Sequence, residues 1–439
     1  MDRPTRKVLL LSPTNRAAQA LSSIGESLNC EIIKDERSKG SFLSNFRYGE
    51  TLDIVELIES RVALHQKEKI DGITCTVAFP GMNVAAACIA KKLGVPGPSP
   101  EAILTCEHKY YCRLAQEKFV PEATADFQLI DPSDESSVKH VTKFPRFVKP
   151  VKSILSSGAF RVNSQSELRK AVHRDSLPVD FLKPFNELID KYSDFEHQAN
   201  YFLVEELLEG WQVSLEGFVY QNEITIMGIV DAIMFPGTIS FKRFQYPSAL
   251  SENVQSRMAD IAKRFIGGIG YNNWAFNIEM MYNPVTEKIH IIEVNARLAS
   301  QFWDLFEKVD GSNPFEAILK IAVGEKPQFK HRQGRFKVAA SCVLRTFEDK
   351  LVSKIPTSED ITRLQNKYPD AFVEVLAKVD RRLSEQIQDS GSFRYGLINI
   401  GADSCEHLES KFNDCASMLP YSFEELAVMD SSLQRGLET

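Results

Sequence analysis

Apolar positions in the first hundred residues fall into short unbroken runs separated by stretches with helical spacing. Residues 7–12 form an apolar run suited to a buried strand, residues 16–28 read as a helix, and residues 30–34 form a second strand. A helix over 52–66, a strand over 72–78 and a helix over 83–93 that stops at Gly94 continue the alternation. Strands alternating with helices predict a small parallel sheet flanked by helices. The breaker-rich stretch Gly94-Val95-Pro96-Gly97-Pro98-Ser99-Pro100 ends this unit.

From Glu107 the pattern changes to helices mixed with antiparallel-looking strands. Strands are expected over 144–150, 201–206, 212–220 and 224–231, and helices over 251–267 and 314–323. Beyond Phe336, strands over 337–344, 371–379 and 395–400 precede a helix over 405–418. No internal repeat or low-complexity segment interrupts the chain. At 439 residues it is long for one core. The reading is α/β and α+β in three domains: a parallel α/β domain over 1–105, a domain with antiparallel sheets over 106–325, and a small α+β domain over 326–439.

Composition narrows the function classes. The chain is 43% hydrophobic and 25% charged, as soluble globular proteins are. Net charge is −7 and no Lys/Arg cluster has the density of a nucleic-acid face, so no nucleic-acid partner is expected. The eight cysteines are scattered without CxxC pairs, which points to free thiols in a reducing compartment. Cys106, His108 and Cys112 lie close together but lack a second pair at zinc-site spacing. The N-terminal residues lack the apolar core of a signal peptide, and the most apolar stretch, 76–90, is interrupted by Pro80, Gly81 and Asn83. A cytoplasmic protein with no membrane partner is expected.

The chemistry concentrates in two short apolar strands that carry acids, Phe276-Asn277-Ile278-Glu279 and Ile291-Ile292-Glu293-Val294-Asn295-Ala296-Arg297. The Asn283-Pro284 turn signal between them makes the pair a β-hairpin. Such a hairpin brings Glu279 beside Glu293 and Asn295, an oxygen-only ligand set suited to magnesium, with Arg297 beyond. The same segment also reads as a half-exposed hairpin with solvated acids. Upstream, Lys149 interrupts the apolar strand Phe147-Val148-Lys149-Pro150, either at the surface or as a point charge for a phosphate. Ser156-Ser157-Gly158 fits a phosphate-cradling loop or an inert turn. Phe202-Leu203-Val204-Glu205-Glu206-Leu207-Leu208 is a strand running into a linker, able to read an adenine edge or to stand as a solvated acidic edge.

In this order, and with His108-Lys109 opening the region, these segments resemble the ATP-grasp superfamily of carboxylate–amine or carboxylate–thiol ligases, both its amino-acid-ligase-like and its biotin-carboxylase-like members. The resemblance covers residues 109–324, and Glu293-x-Asn295-x-Arg297 is its most specific part. It implies a pre-ATP-grasp domain, a central ATP-grasp domain and a C-terminal domain, the last matched loosely by Ser392-Phe393-Arg394-Tyr395-Gly396. It implies that Lys109 and Lys149 bind ATP phosphates under a loop of Ser156, Ser157 and Gly158. Glu205 would accept from the adenine amine, the backbone of Glu206 and Leu208 would read the ring edge, and Gln212 would reach the ribose. Glu279, Glu293 and Asn295 would hold Mg2+, with Mn2+ as the alternative ion, and Arg297 would stabilise the acyl phosphate.

The implied reaction is ADP-forming ligation of a small-molecule carboxylate to an amine, with an amino acid or peptide-like substrate expected. Bicarbonate activation or an inactive nucleotide-binding regulator are the alternatives. The chain departs from the family pattern at His108, where Asp or Asn is usual, in the single glycine of the phosphate loop, at Gln212, where glutamate is frequent, and in Leu298-Ala299-Ser300, where glycines are frequent. Lys242 and Arg243 suit an acceptor carboxylate or a solvated strand equally. Trp274, Phe302 and Trp303 suit a pocket wall or core. A homodimer stays open.

Overall fold

The first apolar run forms β1 (Arg6–Leu11), and α1 (Asn15–Ser27) and β2 (Cys30–Lys34) follow it. After α2 (Ile54–Glu68) comes β3 (Gly72–Cys75), then α3 (Met82–Leu93). The three strands pair in parallel in the order β2-β1-β3. Val8 to Leu11 on the central strand are fully buried, which is why that strand reads as an unbroken apolar run rather than an alternation. The computed structural model describes residues 4–13, 15–35, 52–77, 79–153, 158–174, 179–385 and 392–424.

The breaker-rich stretch is turn and loop from Gly94 to Ser99, and its last proline starts a helix. In α4 (Pro100–Glu107), Ser99 caps the Ala102 N–H at 3.1 Å. Pro100 fills the first helical position, where no N–H is needed. Next, α5 (Lys109–Phe119) begins at His108, whose ring takes the capping place.

Four short strands build a small antiparallel sheet: β4 (Phe127–Ile130), β5 (Arg146–Pro150), β6 (Phe160–Val162) and β7 (Phe202–Glu206), in the order β4-β7-β5-β6. Between β4 and β5 lies α6 (Glu135–Lys139), and α7 (Gln165–Arg174) and α8 (Val179–Tyr192) separate β6 from β7. Ile130, Val148, Val162, Leu168, Phe202 and Val204 form the core of this layer.

A second sheet begins with β8 (Trp211–Tyr220) and β9 (Glu223–Met234), after which β10 (Phe241–Tyr246) and α9 (Glu252–Gly268) follow. The hairpin β11 (Trp274–Tyr282) and β12 (Ile289–Asn295) completes it, with antiparallel pairing in the order β12-β11-β8-β9. One face is apolar, with Val213, Leu215, Ile278, Met280, Ile291 and Val294 buried against the helices. Helices α10 (Trp303–Asp310) and α11 (Pro314–Ala322) follow.

Chain contacts divide the protein into two compact units, Met1–Ala232 with Tyr246–Arg335 and Ile233–Gln245 with Phe336–Thr439. In the second, β10 and β13 (Val338–Thr346) precede β14 (Leu351–Lys354), α12 (Ser358–Lys367) and β15 (Phe372–Val375). The chain continues through β16 (Phe393–Ala402), α13 (Cys405–Ser417) and β17 (Ser422–Glu424). The sheet order is β10-β13-β16-β15, and β14 pairs with β17. Ala340, Cys342, Ile398, Ile400 and Leu408 form its core. Among the described residues, no helix is long and apolar enough to cross a membrane.

Candidate functional site

Polar residues on the other face of the β12-β11-β8 sheet stand in register. Asn277 lies opposite Asn295 on one side and Glu216 on the other, and Glu279 lies opposite Glu293 and Ser214. The period of two along each strand therefore collects Ser214, Glu216, Asn277, Glu279, Glu293 and Asn295 on one surface. The hairpin expected from the sequence is present, and its two acids face each other.

The small sheet supplies cations to this surface. Lys149 on β5 and Glu205 on β7 are both buried and pair at 2.6 Å. Lys109, the first residue of α5, sets its ammonium 3.6 Å from Glu293 Oε1. Sequence reasoning missed Arg113, one turn further along α5 and 2% exposed. Its Nε donates to Glu205 Oε1 and one Nη to Gln116 at 2.7 Å. The other Nη donates to the Ile292 carbonyl at 2.8 Å, where Lys149 Nζ also donates at 3.3 Å. A charged residue on a helix with ordinary polar spacing gives no local sign of such burial; the contact partner Glu205 is 92 residues away.

Both Glu205 oxygens thus accept from buried cations, Oε1 from Arg113 and Oε2 from Lys149, an occupation that nothing in the local sequence signals. Burial alone would raise this carboxyl, but Arg113 and Lys149 outweigh it and hold it below its ordinary value. Glu206 N–H donates to Asp126 O at 2.9 Å. Leu208 is half-buried in the segment joining β7 to β8. There Gly210 has φ 139, and a Cβ on it would lie 2.1 Å from the Tyr282 carbonyl oxygen.

Gln212 Nε2 donates to Glu279 Oε2 at 3.0 Å. Arg297 Nη2 reaches Asn295 Oδ1 at 3.4 Å, and its Nη1 the Leu298 carbonyl at 3.1 Å. Gly158 has φ 72, and its Cβ would meet Pro150 Cγ at 2.9 Å, so the chain after β5 returns close over that strand. Ser156 and Ser157 lie outside the described residues.

Electrostatics follow the crowding. Burial and the neighbouring Glu293 push the Glu279 carboxyl up. Burial would raise Glu293 too, but Lys109, Lys149, Lys152 and Arg297 together hold it down. Burial raises Glu216 to about 8 and lowers Lys149. Glu279 and Glu293, set opposite each other, offer oxygen donors beside Lys109, Lys149 and Arg297. No cluster of three or more His, Cys, Asp or Glu side chains among the described residues forms an all-protein metal cage. Two carboxylates and an amide oxygen fit magnesium, which takes its remaining ligands from water and phosphates.

Other candidates have partners of their own. Trp274 is buried with Nε1 donating to the Ala296 carbonyl at 2.9 Å, and Phe302 is also buried, so both serve the core. Trp303 lies with its ring 6.1 Å from that of Phe315. Lys242 pairs with Glu409 at 3.4 Å and Arg243 donates to Gln245 at 3.1 Å, both within the second unit.

Comparison with known proteins bears on this geometry. Residues 142–303 match the family model described as an ATP-grasp domain. No curated protein matches the chain. Among solved structures, an L-amino acid ligase from Bacillus licheniformis superposes with a TM-score of 0.74 at 16% identity, covering 97% of this chain and 100% of that one. A phosphoribosylglycinamide synthetase from Anaerococcus prevotii gives 0.64 at 18% identity, over 95% and 100%. The biotin carboxylase domain of 2-oxoglutarate carboxylase from Hydrogenobacter thermophilus, in complex with MgADP, ADP and bicarbonate, gives 0.67 at 14% identity, over 97% and 92%.

Proposed function

We propose, from the premise that this chain carries an ATP-grasp domain, that it is an ADP-forming ligase joining a carboxylate to an amine. The observation that carries the reading is the oxygen set Glu279, Glu293 and Asn295 on one sheet face beside Lys109, Lys149 and Arg297.

A carboxylate acylates poorly because oxide is a poor leaving group; a γ-phosphoryl group moved onto it gives an acyl phosphate that an amine can attack. That transfer needs positioning and charge neutralisation more than a covalent catalyst. Lys109 and Lys149 hold the phosphates. Arg113 and Glu205 fix the Lys149 ammonium, so the nucleotide meets a preset charge. The backbone of Glu206 and Leu208 receives the adenine edge, and Gln212, which donates to Glu279, reaches the ribose. Glu279, Glu293 and Asn295 would hold Mg2+ or Mn2+, which would neutralise phosphate charge. Arg297 stabilises the charge of the acyl phosphate and of the tetrahedral adduct. The acid is an amino acid or peptide-like molecule; similarity to the L-amino acid ligase from Bacillus licheniformis supports the amino-acid class.

The test is a screen of amino-acid pairs for coupled release of ADP and phosphate, with mass detection of the condensed product. Glu293→Gln and Arg297→Ala are each expected to lower kcat by about 10²–10³-fold. Substrate-dependent release of AMP and pyrophosphate would refute the reading.

A further inference from the structure

Three polar residues on the site face, Ser214, Glu216 and Asn277, have no place in the reaction above. Glu216 is 1% exposed, yet its nearest partners are hydrogen-bond donors rather than a cation. Oε1 accepts from Asn277 Nδ2 at 2.6 Å and Oε2 from the Ala299 N–H at 3.3 Å. Asn277 Nδ2 also donates to Ser214 Oγ at 2.5 Å. With both amide hydrogens spent, Asn277 presents only its oxygen to β12. Asn295 Nδ2 donates to that oxygen at 3.0 Å.

An amide that points its nitrogen one way points its oxygen the other. Asn295 Oδ1 therefore faces away from Asn277, towards Arg297 Nη2 at 3.4 Å. Turning Asn277 over would set its oxygen against the Glu216 carboxylate and its nitrogen against the Asn295 amide nitrogen. Both contacts would be repulsive, so the acceptor at Glu216 fixes every amide downstream.

We propose that Glu216 and Asn277 are positioning residues: they set the polarity of a hydrogen-bond chain that ends at Asn295, so that its oxygen and not its NH2 group meets the divalent cation. The inference rests on Glu279, Glu293 and Asn295 being the cation site. Neither residue touches the ion; each acts through Asn295, as outer partners orient metal ligands. Ala299 N–H on the same carboxylate ties the segment after Arg297 to this chain.

The test uses Mn2+ as the probe, with ADP present, at about pH 8.5, where the ordinary and the raised carboxyl values both leave Glu216 mostly ionised. Free Mn2+ is read by electron paramagnetic resonance on the full chain, and each variant's melting temperature is recorded beside it. Asn277→Asp sets two carboxylates against each other; the repulsion drives the new one off Asn295 Nδ2, and Mn2+ binding is expected to weaken by about 10–100-fold. Glu216→Gln puts an NH2 against a donor and is expected to do the same to a similar degree. Combining the two substitutions restores the polarity. The new amide at position 216 would donate to the new carboxylate at position 277 and accept from the Ala299 N–H, while that carboxylate would accept from Asn295. The double variant is expected to bind Mn2+ more tightly than either single variant, which general loss of packing would not produce. A double variant as weak as the single ones, or an Asn277→Asp variant as tight as the native chain, would overturn the proposal. Absence of Mn2+ binding by the native chain with ADP would instead refute the cation site itself.

Discussion

His108 stands immediately before the first lysine of the site, and its surroundings explain a departure from the family pattern. The ring is fully buried beside Tyr111, Phe185 and Phe195. Nδ1 accepts from the Tyr111 N–H at 3.5 Å and Nε2 faces the Gln198 carbonyl at 3.2 Å, so a neutral imidazole caps the helix, a place that Asp or Asn ordinarily suits. Burial pushes its pKa down to about 4. An unfolded histidine takes up a proton near 6.5. Between those values the unfolded chain binds more protons, so stability is present above 6.5 and is lost as pH falls towards 4. The expected loss from this residue is about 3 kcal/mol. His108→Asn keeps a cap without a titrating group, so denaturant midpoints across pH 4–7 should fall less steeply than in the native chain. Parallel slopes would exclude His108 as the source.

At the scale of elements, the close approach of Gly210 to the hairpin gives a sharper expectation. A side chain there would meet the Tyr282 carbonyl, so Gly210→Ala must push the segment bearing Leu208 away from β11. It should cost about 1–3 kcal/mol in stability, as overpacking does, and raise the KM for ATP more than it lowers kcat. Unchanged KM would separate this segment from the nucleotide. The hairpin itself is readable because acids at the ends of apolar strands, around an Asn-Pro turn, are local signals. Two helices are not. Pro100 and Ser99 look like loop residues until they are seen as first position and cap, and Pro184 lies inside Val179–Tyr192. Ser214, Glu216 and Asn277 read as ordinary strand residues. Which polar residues meet depends on register between strands, and Glu216 and Asn277 stand 61 residues apart, so no local pattern encodes their contact. Arg113 escapes sequence reasoning for the same reason.

For the whole molecule, a ligand that binds only the folded chain must stabilise it. ADP with Mg2+ at about a hundred times its dissociation constant should add about 2.7 kcal/mol. A melting curve should rise by a few degrees, and EDTA should remove most of the gain while leaving the part that Lys109 and Lys149 contribute. No shift with MgADP would contradict the site. The strand that carries Glu293 has one further property. β12 holds one residue more than its partner: Glu293 pairs with Glu279 and Ile291 with Met280, and Ile292 has no counterpart. Its carbonyl is the one gripped by Arg113 and Lys149. Deletion of Ile292 would leave the ladder in step on both sides, with Glu293 still opposite Glu279 and Asn295 opposite Asn277, while removing the carbonyl that Arg113 and Lys149 grip. Which side chains share the sheet face is therefore set by the strand register, and how firmly β12 is tied to α5 and β5 is set by one extra residue outside it.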